Sequence, residues 1–119
     1  MHEAELREAN ATVVRQLSQH RIRLEQEADI DHFVYFKSLA QATAFATAAA
    51  GKGWQVEDPR ENHDETSVVV TLRHSLDLPT VNEQSIVVNA LAEQMGGEYD
   101  GWAVGTEGLD TVDGCPASD

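Results

Sequence analysis

Five histidines, His2, His20, His32, His63 and His74, are the side chains best suited to bind a metal or move a proton near neutral pH. No two of them stand at a helical metal-ligand spacing such as His-x-x-x-His. His32 opens one strand-like segment and His74 closes another, so antiparallel pairing would make them neighbours. A weak metal site or proton-shuttle pair is one reading of that; ordinary half-buried strand histidines are the simpler one. His63-Asp64-Glu65 reads as a solvated turn. Ser67, Ser75 and Ser85 lack the Gly-x-Ser-x-Gly context of a nucleophile elbow. Cys115 lies in a polar tail, where no base could be held beside its thiol. Gly51-Lys52-Gly53 follows a helical stretch, whereas a phosphate cradle must open one. Carboxylates are plentiful, but they fall in loops and at strand ends rather than in an apolar setting that would raise one pKa.

The run Gly96-Gly97-Glu98-Tyr99-Asp100-Gly101-Trp102 is richer. It packs three glycines, two acids and two aromatics into seven residues. Glycine inside a strand marks a bulge or a close backbone approach. Tyr and Trp are common interface anchors. The plainer alternative is that Tyr99 and Trp102 fill the core beside Phe45 and Trp54, and at least one of them is expected there. Glu98 and Asp100 can point outward in either case.

The elements that must hold these residues follow from periodicity. Leu6, Ala9, Val13 and Leu17, widened by Val14, give an amphipathic helix over residues 3–20. Arg21 to Asp29 is a charged joint with no clear structure. Ile30 to Lys37 is a strand, apolar on both faces and therefore central in its sheet. Ser38 and Gln41 form a capping box for a helix to about Ala50, buried through Leu39, Ala42, Phe45, Ala46 and Ala49. Trp54 to Glu57 is a short strand ended by Asp58-Pro59, and Arg60 to Glu65 is a loop. Thr66 to His74 is the clearest strand. Thr80 and Glu83 form a second capping box for a helix to Met95, and Glu98 to Val104 is the last strand.

That order predicts an α+β fold: a ferredoxin-like βαββαβ sandwich, sheet order 4-1-3-2, with an extra N-terminal helix over the sheet edge or the open face. The expected division is residues 1–28 for helix and joint, 29–104 for the domain, and 105–119 for an acidic, disordered tail. The chain has 119 residues, 8 Lys and Arg against 21 Asp and Glu, and a net charge of −13. Residues 1–28 hold 5 acids and 4 bases, and residues 29–119 hold 16 and 4. Such a field disfavours nucleic acid and anionic membranes, because both are bound through clustered cations. Phe33 and Tyr35 could lie on the open sheet face as an RNA platform would require, but only Lys37 and Arg73 stand near them. A basic protein partner is the natural complement. The start lacks a signal-peptide pattern, the longest uncharged run is Ser38 to Gly51, and the only cysteine is Cys115. These features suit a soluble cytoplasmic protein.

With these residues in view, the chain resembles the regulator of ribonuclease activity B family. Gly97-Glu98-Tyr99-Asp100-Gly101-Trp102, after a helix ending in Met95, carries most of the likeness. Asp31-His32-Phe33-Val34-Tyr35-Phe36 and Gly53-Trp54-Gln55-Val56-Glu57 add to it, and the similarity spans roughly residues 6–104. The resemblance implies a non-catalytic inhibitor that binds ribonuclease E at its arginine-rich scaffold and modulates RNA decay. It implies no cofactor and no metal. Family members carry a longer acidic tail, whereas this one has only Glu107, Asp110, Asp113 and Asp119. Charge and position single out Glu57, Asp58, Glu98 and Asp100 as the partner-binding surface, with Trp102 as an anchor. The alternative is a small-molecule or metal-sensing domain that dimerises through its open sheet. In that case the partner is a second copy rather than ribonuclease E or another basic segment.

Overall fold

A computed structural model describes residues 2–105 and 108–112. The elements run α1 (Glu3–Gln19), β1 (Glu27–Phe36), α2 (Leu39–Gly51), β2 (Gln55–Val56), β3 (Arg60–Glu61), β4 (Thr66–Ser75), α3 (Leu78–Gln94) and β5 (Glu98–Val104). The fold is α+β, with three helices and a five-stranded, wholly antiparallel open sheet. Its order is β2-β4-β1-β5, with β3 also paired to β4. Four strands were expected. The fifth arises because Arg60–Glu61, read as loop, pairs with Ser67 and Thr66 beyond the break at Asp58-Pro59. Proline lacks the N–H that would have continued the ladder.

The two long strands β1 and β4 are central, and their burial alternates strictly. Ile30, Val34 and Phe36 of β1 and Val68 and Val70 of β4 point to the helix side and are buried. There all but Ile30 cluster with Leu6, Phe45 and Val88 from the three helices. A second cluster joins Leu17, Ile22, Ile30, Leu76 and Leu109. Alternation of this kind is what a sheet covered on one face demands.

Local chemistry sets the helix starts. Ser38 caps α2 by accepting the Gln41 N–H at 3.2 Å. For α3 the cap is Asp77 rather than Thr80. Asp77 Oδ2 accepts the Thr80 N–H at 3.2 Å and its hydroxyl at 2.8 Å. Pro79 falls in the first turn, where no N–H is needed. A hydrogen bond donated by the Ser75 hydroxyl, helped by the two from Thr80, holds the Asp77 carboxyl below its ordinary pKa. Leu39, expected inside, is 45% exposed, because the first residue of α2 projects away from the sheet.

The N-terminal helix packs on the helix side, against α3 and above edge strand β5, where Val13 and Leu17 meet Trp102 and Val104. It leaves the other face of the sheet open. Its buried stripe is Leu6, Asn10, Val14 and Leu17, so Asn10 takes the place expected of Ala9. Part of the expected tail is docked. Leu109 is buried, Thr111 bridges to Ile22, and the Arg23 N–H donates to the Asp110 carbonyl at 3.0 Å. Cys115, Glu107, Asp113 and Asp119 lie outside the described residues.

Candidate protein-binding surface

Strand β5 carries the aromatic-acidic run and is shaped by a bulge. Val34 pairs with Tyr99 and Phe33 with Gly101, so Asp100 is an extra residue that faces no partner on β1. Without it, Tyr99 and Trp102, three apart, would point to opposite faces. With it, both turn to the helix side. Gly101 makes the bulge, at φ +113°, a backbone region that side chains with a Cβ rarely enter. Gly97 answers a different need. A Cβ there would stand 2.4 Å from the ring of buried Phe36.

Tyr99 and Trp102 are therefore both core residues. Trp102 is half-buried, and its indole N–H donates to Asn10 Oδ1 at 2.8 Å. The Asn10 amide in turn donates to Asn82 Oδ1 at 3.0 Å and Ser85 Oγ at 2.8 Å. Ser85 donates to the Val81 carbonyl at 2.7 Å. This knot ties α1, α3 and β5 together. The anchor expected of Trp102 thus faces away from the open sheet.

Tyr99 ends a second buried chain. His32 and His74 do meet on the inner face of β1 and β4, but only through their side chains: His32 pairs with Val70 and His74 with Ala28, with the Ile30–Leu72 pair between them. His74 Nδ1 lies 2.8 Å from the Ser75 carbonyl, which can only accept, so this nitrogen carries the proton. Its Nε2 then accepts from His32 Nε2–H at 3.2 Å, and His32 Nδ1 accepts from the Tyr99 hydroxyl at 2.7 Å. Burial, reinforced by the nearby His74, pushes the His32 pKa down to about 3. Burial also lowers His74, opposed by its bond to Ser75 and by Asp77, and it raises Tyr99. Both rings are neutral at pH 7. Each acceptor lone pair is already used within the chain, which leaves no nitrogen to bind a metal. Among the described residues, no group of three or more His, Cys, Asp and Glu side chains is placed to hold one.

The acids behave as expected in exposure but not in grouping. Glu57, Asp58, Glu98 and Asp100 are all exposed. Glu57 and Asp58 sit at the β2–β3 break, and Glu98 and Asp100 sit on β5 at the far edge. Three strand spacings, about 14 Å, separate the edges. That exceeds the Debye length of about 8 Å in physiological salt, so the pairs act as separate rims rather than one cluster. Between them run the outward residues of β1 and β4: Asp31, Phe33 and Tyr35 opposite Thr71, Val69 and Ser67. These are half-buried, and among the described residues no helix covers them.

The model of one family, RraB, regulator of ribonuclease activity B, matches residues 7–104. The chain belongs to that family. The matched span runs from within the first helix through β5, so α1 from Arg7 onward and the Asn10–Trp102 knot lie inside it. Family membership makes the protein a regulator of ribonuclease activity, with a ribonuclease as its implied partner. No curated protein matches the chain. Among the described residues, no helix is long and apolar enough to cross a membrane.

Proposed function

We propose that this chain inhibits ribonuclease E in the cytoplasm through protein–protein contact, without chemistry of its own. Its target on that reading is the arginine-rich, non-catalytic scaffold region. The family match over residues 7–104 carries the reading. The net charge of −13 supports it, since an acidic surface attracts an arginine-rich segment and raises the association rate. Glu57, Asp58, Glu98 and Asp100 are the contact acids. Trp102 is a support, holding β5 to α1 through Asn10. We also read β2 and β3 as a single edge strand interrupted at Asp58-Pro59. So counted, the path is βαββαβ and the sheet has the ferredoxin-like order 4-1-3-2.

The test is binding of the purified chain to ribonuclease E from the same organism, with full-length enzyme and with enzyme lacking the scaffold. Binding confined to the full-length enzyme, weakening steeply with salt, is the expected result. Equal binding to both forms would move the contact to the catalytic half.

A further inference from the structure

The open face of the sheet has a composition that the fold does not need. On the helix side, every outward demand of β1 and β4 is met by a helix. On the other side, Phe33, Tyr35 and Val69 form an apolar stripe that lies half-buried with nothing over it among the described residues. Half-exposed aromatics on a central strand are a site for a partner to cover. Acids rim the stripe. Asp31 accepts from Thr71 at 2.7 Å beside Phe33, Glu98 pairs with Tyr35 across β5, and the Glu57 N–H is bonded to Val69.

Two depressions flank the row formed by Tyr35 and Ser67. One, of about 330 Å³, is bounded by Glu57, Asp58, Arg60 and Val69. The other, of about 470 Å³, is bounded by Tyr35, Lys37, Asp64, Glu65 and Glu98. Each has two or three carboxylates against one cation. The remaining cation of the face, Arg73, is already engaged by Asp29 at 3.4 Å and Glu27 at 3.9 Å.

Charge selects the occupant. A second copy would bring the same acid-rimmed face and its own net charge of −13. The chain's own end, residues 113–119, carries Asp113 and Asp119 and no base. Nucleic acid would meet the same repulsion. A cationic chain that also offers flat surface to an aromatic is favoured. Arginine does both, because its guanidinium stacks on a ring face while pairing with carboxylates. We infer that the open sheet face, with Phe33, Tyr35 and Val69 as floor and acids at both rims, docks an extended, arginine-bearing segment of the partner protein. The inference rests on the inhibitor reading for the partner's identity but not for its chemistry.

Two probes separate those parts: full-length ribonuclease E and a synthetic arginine-rich peptide. Tyr35→Thr and Phe33→Thr keep a strand-compatible residue on the face. Val87→Thr, on an exposed position of α3, is the control. Each face variant is expected to bind both probes about tenfold more weakly, and the control to bind as the parent does. Folded face variants that bind ribonuclease E like the parent overturn the docking face and leave the inhibitor reading standing. Loss of peptide binding in the variants, with no binding of ribonuclease E by the parent, upholds the face and overturns the inhibitor reading. A dimeric parent made monomeric by Tyr35→Thr makes a second copy the occupant and overturns the inference, and binding to neither probe overturns both. Should the variants fail to fold, amide-shift mapping on the parent decides. Peptide-induced shifts at Phe33, Tyr35 and Val69 support the face, and shifts confined to α1 and α3 overturn it.

Discussion

The two faces of β1 are built from the same ten residues and do opposite work. Inward, Ile30, Val34 and Phe36 are apolar, and the one polar residue among them, His32, is tied at both nitrogens. Among the described residues, no buried side-chain nitrogen or oxygen lacks a partner. Outward, Phe33 and Tyr35 are half-exposed, with no helix over them among the described residues, next to carboxylates in water. A buried polar group must be matched when the chain folds, because leaving it bare costs about 1–3 kcal/mol. His32, His74, Tyr99 and Trp102, which look most like reagents in the sequence, are therefore consumed by the architecture. What remains free to meet a partner is an apolar stripe and its acids.

The largest expected effect tests that contrast with one residue type. Tyr99→Ala empties a core position that is 3% exposed and strips His32 Nδ1 of its donor. Loss of about 4 kcal/mol in urea unfolding is expected. Tyr35→Ala, half-exposed on the other face, should cost about 1 kcal/mol. Equal losses would mean that the outward face is covered after all.

Next in size is acid sensitivity. The unfolded His32 takes up a proton near pH 6.5, whereas the folded one does so near pH 3. Between those values the unfolded state binds more protons, so stability is full above about pH 6.5 and falls as the pH drops toward 3. From pH 7 to pH 5 the loss from His32 alone is about 2 kcal/mol. His74, lowered in the same direction, adds to it. The urea midpoint should fall over this interval. A midpoint that holds steady or rises would show that relief of acidic self-repulsion outweighs the histidine chain.

Local signals were legible. The Ser38–Gln41 cap, the alternation of Thr66 to His74 and the glycine stop after Met95 each depend on neighbours a few residues away. The exposure of the four acids was equally plain. What the sequence concealed depends on distant pairing. His32 and Tyr99 meet only because β1 and β5 lie side by side, 67 residues apart in the chain. Asn10 interrupts an apolar stripe, and only its partners Ser85 and Trp102 explain why an amide is buried there. The extra residue at Asp100 reverses the side on which Trp102 stands, and simple alternation from Tyr99 therefore puts the indole on the wrong face. The separation of Glu57 and Asp58 from Glu98 and Asp100 follows from strand order, which spacing along the chain does not contain.

The smallest expected effect on stability carries the most information about binding. Glu98 and Asp100 are exposed on β5, and Glu57 and Asp58 are exposed at the opposite edge. Reversing either pair to lysine should leave the urea midpoint within about 0.5 kcal/mol of the parent, since no buried partner is lost. Association with the ribonuclease should slow by about tenfold in either double variant, with dissociation changed less, because rim charges act mainly by steering. The salt dependence of the association rate should shrink with it. A segment laid across the whole sheet feels both rims, so both variants should slow and the four-residue variant should slow further. A segment confined to β5 responds to Glu98 and Asp100 alone. If neither pair matters while Tyr35→Thr still weakens binding, the floor makes the contact and the rims serve only solubility.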